Sequence, residues 1–371
     1  MKKILRLFIC FVMVLPLQGC WDSIGLEELL IVYGLGVDIS QDHPDKYLFT
    51  IGFPTIIEEA PEEKSIYFTE APSLGAGKCN MQNKVYRQIS YDNIRVIVFG
   101  EEAAKRGIIN HVDSMFREPL FRGTARFAVV KDRAVDLLSI KPPVALLVSS
   151  FIYDSIEQNY EGTTVPITTL RNFSHEYYTD GIEPAMPYIC YGAKPDELNI
   201  GCIALFKKDR MIYKLHGHQS KAFMLLRGEI NRGIYAFDYS IPDNNNKESI
   251  AINLKGGNSK IKTELIDSKL HIYHDITVNS TLAEFIPFGV VLDKDTIKKL
   301  EEYLSQKIHK DVSSTLKILQ TQLKNDNVGY GKFVKANHPE FFNAANWNAQ
   351  FADAVIHINT TVKITTVGVL R

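Results

Sequence analysis

The stretch RVIVFGEEAAKRG, residues 95–107, contains the clearest junction of secondary structure in this chain. Its first half, residues 95–99, is a short apolar run rich in β-branched residues, which predicts a buried strand. A helix is predicted to begin near Glu101 and Glu102, because acidic side chains in a first turn favour the positive end of the helix dipole. Gly107 is predicted to end that helix. A buried strand that runs directly into a helix indicates that both kinds of element share one core.

Working outward from this junction, apolar runs and alternating patterns predict further strands and helices along the whole chain. The predicted strands cover residues 28–38, 46–56, 125–130, 200–206, 211–215, 247–254, 259–266, 269–282 and 354–365. The predicted helices cover residues 144–158, 217–230 and 293–324. Because strands and helices are mixed without a strict β–α alternation, we predict an α+β fold with mixed or antiparallel sheets and packed helices.

The most regular predicted helix is residues 293–324. Its apolar side chains recur at steps of three and four, which predicts an amphipathic helix lying on its own sheet, with a partner-binding helix as the alternative. The apolar positions are Ile297, Leu300, Leu304, Ile308, Val312, Leu316, Leu319 and Leu323. Two strands alternate apolar and polar residues instead, and these predict one buried and one outward face. The residues predicted to point inward are Leu270, Ile272, Ile276, Val278, Ala354, Ile356, Ile358, Val362 and Ile364.

A polar segment rich in glycine and proline, residues 172–198, suggests a boundary between folding units. We therefore predict an N-terminal α+β domain over residues 20–198 and a C-terminal α+β domain over residues 199–371. The second domain would contain the long helix and the terminal strand. With 371 residues, a chain of this length is expected to form two or three domains.

The first 19 residues have the parts of an export signal, with Lys2, Lys3 and Arg6 ahead of an apolar run that is too short to span a bilayer. Residues 17–20, LQGC, resemble the bacterial lipobox, in which the signal peptide is cut just before a lipid-modified cysteine. Cys20 is therefore the predicted lipidation site, as N-palmitoyl and S-diacylglycerol cysteine. Two or more acyl chains make a stable anchor, so we predict a body tethered to a membrane.

Composition excludes several classes of protein. The chain has 42 basic and 43 acidic residues, a net charge of -1, which does not favour nucleic acid as a partner. Beyond Cys10 and Cys20, the cysteines are Cys79, Cys190 and Cys202, an odd number without CxxC spacing. We predict neither a disulfide framework nor a zinc site. Free buried thiols are the expected state, and a Cys190–Cys202 bridge is the alternative.

Catalytic and cofactor motifs are missing from the sequence. There is no GxSxG, HExxH, Walker loop or GxGxxG pattern, so we predict no catalytic residue, metal or cofactor. His216 and His218 could share one side of a strand, yet no cysteine or carboxylate lies at supporting spacing. Other scattered polar residues have no visible pairing; these are Asp92, His111, Glu118 and His175.

Four stretches in a fixed order carry a resemblance to a known family. Gly19-Cys20-Trp21-Asp22 precedes the strand IVYGLGVD, residues 31–38. Residues 86–90, YRQIS, precede VIVFGEEAAKRG, residues 96–107. Residues 117–122 and 125–130 follow. The C-terminal pattern consists of Asp326, Gly329, Gly331, Lys332, Pro339, Trp347, Phe351 and Gly368. Together they resemble the Ger(x)C family, the C subunit of nutrient germinant receptors of endospore-forming bacteria.

The resemblance implies a lipoprotein on the outer face of the spore's inner membrane, beside a polytopic A subunit and a transporter-like B subunit. Nutrients such as amino acids or sugars would trigger germination, whether they touch this subunit or only its partners. It also implies a protein that is not an enzyme. Two other hypotheses remain at this point. A solute-binding lipoprotein of a transporter would need a deep interdomain cleft, and a cell-envelope hydrolase would need converging titratable groups.

Overall fold

The computed structural model describes residue 4 and residues 25–54, 66–118, 121–142, 147–194, 197–240, 247–285 and 292–366. In chain order the strands are β1 (Leu29–Ile31), β2 (Gly34–Ile39), β3 (Tyr47–Gly52), β4 (Ile66–Ala71), β5 (Gln88–Ser90), β6 (Val96–Gly100), β7 (Arg126–Val130), β8 (Ala185–Tyr191), β9 (Leu198–Lys207), β10 (Arg210–Leu215), β11 (Arg232–Ser240), β12 (Lys247–Ile266), β13 (Lys269–Phe285) and β14 (Val355–Thr366).

The helices lie between these strands. They are α1 (Leu74–Gln82), α2 (Glu101–Arg106), α3 (Ile109–Phe116), α4 (Ala134–Leu138), α5 (Val148–Glu161), α6 (Leu170–Tyr178), α7 (His218–Leu226), α8 (Lys294–Lys317), α9 (Tyr330–Asn337) and α10 (Trp347–Asp353). Short 3₁₀ turns occupy Leu26–Glu28 and Ala344–Asn346, and a π-helical turn, Ile318–Leu323, follows α8.

The larger sheet has the strand order β10-β9-β8-β7-β6-β2-β3-β4. Its four central strands, β8, β7, β6 and β2, run parallel, and the two strands on either side of them pair antiparallel. The parallel strands are apolar on both faces, because helices and loops cover both sides of them. As a result, the carboxyl ends of β2, β6, β7 and β8 meet at one edge of the sheet and their amino ends meet at the other.

A two-stranded parallel sheet, β1 with β5, stands at the amino edge of the larger sheet. Leu29 pairs with Gln88, and the two short strands lead into β2 and β6 respectively. The predicted strand over residues 28–38 is thus interrupted at Val32 and Tyr33. At this interruption the backbone N–H of Tyr33 donates to the carbonyl oxygen of Gly52 at 2.8 Å.

The second sheet has the order β11-β12-β13-β14, and β14 runs parallel to β13. Helix α8 packs along β14 and buries the apolar stripe that runs from Leu300 to Leu316. Polar side chains of α8 also occupy the open edge of β14. The N–H of Val362 donates to Ser305 Oγ at 2.9 Å, and the N–H of Ile364 donates to Glu301 Oε1 at 2.7 Å. An exposed strand edge tends to pair with other chains, so this cover protects the sheet.

These observations confirm the predicted α+β class with mixed sheets and the docking of the long helix on its own sheet. The predicted alternation holds in β13, where Leu270, Ile272, Ile276 and Val278 are buried and Asp275 is exposed. At the terminal strand Ala354 and Val362 are buried, whereas Ile356, Ile358 and Ile364 are half-buried against the core. Two predicted strands, residues 247–254 and 259–266, are one long strand, β12. Its register with β13 shifts between Leu254 and Gly257, where a bulge lets the strand bend.

The glycines and prolines of residues 172–198 would ordinarily indicate turns, but the structure shows mostly regular secondary structure there. Most of this segment is helix α6 and the buried strand β8. Pro187 suggested a break, yet it lies just ahead of the residues that pair with β7, so its missing N–H removes no hydrogen bond on that side. Strands β9 and β10 extend the larger sheet beyond residue 198. The division of the chain into domains at residue 198 stays a prediction.

Candidate functional site

Charged side chains collect at the carboxyl edge of the parallel strands. Open sheets with parallel strands commonly bind ligands in the crevice beyond these ends. Here a pocket of about 720 Å³ lies between the loops that follow β2, β6 and β7. Its charged lining residues are Asp38, Glu102, Lys105, Arg106, Asp132, Arg133 and Arg210. The lining therefore combines cations with carboxylates.

Asp38, near the end of β2, is the buried centre of this edge. Its Oδ1 accepts a hydrogen bond from the N–H of Ala134 at 2.7 Å, and its Oδ2 accepts one from the N–H of Val135 at 2.9 Å. The carboxylate therefore satisfies two orphan donors in the first turn of α4. Burial raises the pKa of Asp38 to about 6, although these two hydrogen bonds and Arg133 act in the opposite direction.

Gly100, at the end of β6, is required by this arrangement. A Cβ at residue 100 would lie 2.1 Å from Oδ1 of Asp38 and 3.0 Å from the carbonyl oxygen of Asp132. No side chain fits in that space without displacing the cap of α4. The glycine between strand β6 and helix α2 is thus explained by close packing against Asp38.

Glu101 links the edge to β8. Its Oε2 accepts a hydrogen bond from Tyr188 Oη at 2.5 Å, and its Oε1 lies 2.8 Å from Lys105 Nζ. Lys214 lies over the Tyr188 ring, with its Nζ 4.7 Å from the ring centroid. Partial burial alone would raise the pKa of Glu101, but the hydrogen bonds with Lys105 and with the hydroxyl of Tyr188 lower it. The ionised Glu101 therefore links helix α2 to strand β8 through Tyr188.

Cys190 and Cys202 lie at the same edge, on the neighbouring strands β8 and β9. Their Sγ atoms are 3.9 Å apart, and both side chains are half-buried. The contact between the two thiols and the nearby Lys214 lower the pKa of Cys190 to about 6, although partial burial acts in the opposite direction. The lowered pKa makes Cys190 the more reactive of the two thiols. The predicted free thiols and the alternative bridge are therefore both compatible with the positions of these two residues.

A second polar site, residues 325–327 (the 325–327 cluster), fastens the π-helical turn after α8 to the larger sheet. All three side chains are fully buried. Asn325 Nδ2 donates to the carbonyl oxygen of Phe206 at 2.8 Å, and Asn327 Nδ2 donates to that of Pro184, also at 2.8 Å. Buried polar groups without partners are costly, so these hydrogen bonds favour one arrangement of the two sheets.

Asp326, in the middle of this cluster, accepts three hydrogen bonds. Gly329 N–H donates at 2.8 Å, Gly331 N–H at 2.9 Å and Trp347 Nε1 at 2.9 Å. Its own carbonyl oxygen accepts from the N–H of Glu183 at 2.8 Å. Burial raises the pKa of Asp326, and the N–H donors around it oppose that effect. The carboxylate thus shapes the loop into α9 and orients the indole of Trp347.

Gly331 packs directly against the segment that precedes β8. A Cβ at residue 331 would lie 2.4 Å from Cα of Gly181 and 2.6 Å from the indole of Trp347. The backbones of the segment before β8 and of helix α9 touch directly at this point. Asp326, Gly329, Gly331 and Trp347 of the C-terminal pattern therefore help to seat α9 and α10 on the larger sheet.

Of the residues considered from sequence, Cys20 lies outside the described residues. His216 is exposed, and His218 Nδ1 instead lies 3.1 Å from Asp311 Oδ2. His111 is buried against Tyr47, and burial lowers its pKa to about 4. The structure does not bring His111 together with Asp92, Glu118 and His175 as one site. Within the described ranges, no group of three or more histidine, cysteine or carboxylate side chains could hold a metal.

No sequence pattern predicted roles for Asp38, Asn325 or Asn327. Asp38 stood at the end of a predicted strand, and only the position of α4, almost a hundred residues later, reveals it as a cap. The short polar run at residues 325–327, after an amphipathic helix, would ordinarily indicate an exposed turn. The family pattern includes Gly329, Gly331 and Trp347, and these residues were the available signal that residues 325–327 are buried.

Comparisons with known proteins agree over nearly the whole chain. The family model "Spore germination protein N-terminal domain" matches residues 22–190, and "Spore germination B3/GerAC like, C-terminal" matches residues 202–368. Spore germination protein GerQC of Bacillus cereus is 24% identical over 276 residues, which are 74% of this chain and 75% of that protein. Spore germination protein B3 of Bacillus subtilis (strain 168) is 21% identical over 383 residues, 99% of each chain.

A solved structure has the same fold. The crystal structure of the GerBC protein superposes with a TM-score of 0.56 and 16% sequence identity, covering 90% of this chain and 97% of that one. In the part of the chain that the structure describes, no helix is both long and apolar enough to cross a membrane.

Proposed function

Because the chain belongs to the Ger(x)C family of spore germination proteins, we propose that it is the lipid-anchored C subunit of a nutrient germinant receptor. In this proposal Cys20 carries the acyl chains that hold the folded body on the outer face of the spore's inner membrane. The subunit works beside an A-type and a B-type membrane subunit. Nutrient binding by the complex then triggers germination.

The observation that carries this proposal is the order of the two family matches. They follow each other from residue 22 to residue 368, and the sequence LQGC, residues 17–20, ends just ahead of the first. A cleaved leader ending at Gly19 would leave Cys20 two residues ahead of the matched region. A lipid anchor and a germination-family body in this order are what a C subunit requires.

We further propose that the subunit acts through binding and assembly rather than catalysis. Gly100, Asp326, Gly331 and Trp347, which belong to the family pattern, make packing and hydrogen-bond contacts inside the protein. Such contacts support a rigid body with fixed surfaces, as a receptor subunit needs.

The alternative, a solute-binding lipoprotein of a transporter, is not favoured. That function usually relies on a deep cleft between two lobes that close on the solute. Here the larger sheet and the segment after α8 are fastened by buried hydrogen bonds of the 325–327 cluster. Closure around a solute would have to break them.

Deletion of the gene in a spore-forming host tests the proposal. Spores that lack this subunit should stay viable and should lose their optical-density response to one set of nutrients. They should still germinate with exogenous dipicolinate, because that route bypasses nutrient receptors. The response is measured against panels of amino acids, sugars and nucleosides, with the other receptors removed. If every nutrient response then matches that of the parent strain, the proposal is wrong.

A further inference from the structure

We infer that the amino edge of the larger sheet is a membrane-contact surface, on which exposed aromatic side chains rest at the headgroup level of the bilayer. The amino-edge surface is defined by Leu26, Tyr67, Phe68 and Tyr86. This inference rests on the proposed lipid anchor at Cys20. It specifies which face of the folded body lies against the lipid.

The length of chain between Cys20 and the folded body limits the possible orientations. The structure describes the body from Gly25 onward, five residues after Cys20. Even a fully extended chain spans at most about 17 Å over five residues. Acyl chains on Cys20 would insert into the bilayer, so the surface around Gly25 must stay close to the headgroups. Faces on the far side of the body cannot reach them.

The strand pairing places the aromatic residues beside this attachment point. Leu29 pairs with Gln88 in the parallel β1–β5 sheet, so Leu26 and Tyr86 both lie just ahead of one hydrogen-bonded pair. On the other side, Gly34 pairs with Gly52 and Gly52 with Ile66, which brings the start of β4 to the same edge. Lys84 connects the two parts, because its Nζ donates to the carbonyl oxygen of Phe68 at 2.8 Å.

The side chains of this surface are large, apolar and open. Tyr86 is 90% exposed, Leu26 71% and Phe68 54%, although most large apolar side chains of the described residues are buried. Tyrosine and other amphipathic rings favour the boundary between headgroups and acyl chains. A cluster of such residues at the attachment point of a lipid anchor therefore fits a lipid surface.

Charged side chains also lie at this surface. Arg87 lies over the Tyr86 ring, with its guanidinium carbon 5.5 Å from the ring centroid, and Lys84 is close to Phe68. These two cations would attract anionic headgroups, but Glu27 and Glu28 stand next to them in the short turn before β1. Since interfacial rings do not depend on headgroup charge, the contact should form on neutral as well as anionic lipid.

Two more exposed rings lie along the same edge. Helix α3 ends at Phe116 ahead of β7, and helix α6 ends at Tyr178 ahead of β8, so both termini face the amino side of the sheet. Phe116 is 50% exposed and Tyr178 70%. The opposite, carboxyl edge has the charged pocket around Asp38 and Arg133. With the amino edge against the bilayer, that pocket opens away from it.

Photo-crosslinking of the full lipidated protein tests this orientation. Benzoylphenylalanine is incorporated in place of Tyr86, and, as the matched control, in place of Glu102 at the carboxyl edge, whose side chain is 74% exposed. Each protein is reconstituted in vesicles of phosphatidylcholine and phosphatidylglycerol that contain radiolabelled phosphatidylcholine. After irradiation, flotation of the vesicles and labelled lipid on the protein are both measured.

We expect both proteins to float with the vesicles, with lipid crosslinked at position 86 and only background at position 102. The same result in vesicles of phosphatidylcholine alone would support a contact made by the rings. If the proteins float but position 86 gives no more crosslink than position 102, this inference is wrong while the anchor stands. If the proteins do not float, the anchor is wrong and the orientation that depends on it falls with it.

Discussion

The indole Nε1 of Trp347 donates a hydrogen bond of 2.9 Å to Oδ2 of Asp326, and both side chains are buried. The contact joins helix α10 to the loop that follows α8. It combines two effects that can be separated, because the indole supplies both a donor and a large apolar volume. Trp347→Phe removes mainly the donor, and Trp347→Ala removes both.

We expect Trp347→Phe to lower the free energy of unfolding by about 1–3 kcal/mol, because Asp326 loses one partner while it stays buried. Trp347→Ala should cost about 3–5 kcal/mol, because a cavity is added. Urea unfolding followed by circular dichroism measures both. Tyr178→Ala, at an exposed ring, should change the value by less than about 0.5 kcal/mol. Equal effects of the two Trp347 variants would contradict a separate role for the hydrogen bond.

A pair of glycine substitutions tests the close approach of the two parts of the chain. Gly331→Ala should destabilise the fold by about 1–3 kcal/mol or more, because its Cβ would lie 2.4 Å from Cα of Gly181. Gly75→Ala is the matched control. It lies within helix α1 and its Cβ would meet no atom within 4 Å, so a gain of about 0.5–1 kcal/mol is expected. Thermal unfolding of both variants shows directly whether each substitution raises or lowers the stability.

His274 should make the protein sensitive to acid. Its ring is buried between Ser259 Oγ at 2.7 Å and Tyr330 Oη at 2.8 Å, and burial lowers its pKa from 6.5 to about 4. Between these pH values His274 is protonated in the unfolded chain and neutral in the folded protein. Stability from this group is therefore present above pH 6.5 and is lost as the pH falls towards 4, by about 3 kcal/mol.

The test compares how steeply the free energy of unfolding changes with pH in two proteins, because contributions from the other titrating groups are common to both. The free energy of unfolding is measured in urea from neutral pH to pH 4 for the parent protein and for His274→Gln. The variant should be less stable at neutral pH and should lose less stability on acidification. His357→Gln, at an exposed position, should keep the parent slope. A slope in His274→Gln identical to that of the parent would exclude His274 as the responsible group.

Cys190 and Cys202 should form a disulfide when they are given an oxidant. Their Sγ atoms are 3.9 Å apart, so a small movement brings them to the bonding distance of about 2.05 Å. Glutathione disulfide would accept the two electrons and two protons that the thiols lose, leaving two molecules of glutathione. Intact mass and thiol alkylation should show that these two thiols disappear, whereas the exposed Cys79 remains reactive. Cys202→Ser should form no internal bridge. Alkylation of both residues after oxidation would contradict the expectation.

Cys20→Ala should abolish lipid attachment. Because LQGC is the predicted processing site, the variant should lose labelling by radioactive palmitate and partition into the aqueous phase or accumulate as uncleaved precursor. Cys79→Ala should keep the label. A Cys20→Ala protein that is still acylated and released only by detergent would overturn the predicted lipidation site.

Features that depend on local periodicity could be predicted from the sequence. The stripe of α8, the alternation of β13 and β14 and the junction between β6 and α2 all follow from which residues in one segment are apolar. A helix or strand exposes one face to the core at a fixed period, so the pattern itself records that face. The family, too, could be inferred from the sequence alone, because its motifs occur in a fixed order along the chain.

The contacts that build the two sites were decided by the tertiary structure alone. Asp38 caps a helix that begins at Ala134, and Gly331 meets Gly181, because the sheet order brings distant segments together. Residues 172–198 look like a turn in isolation, yet β8 is buried once β7 and β9 flank it. A polar side chain such as Asn325 or Asp326 gains from burial only where partners stand ready, and those partners come from elements far apart in the chain.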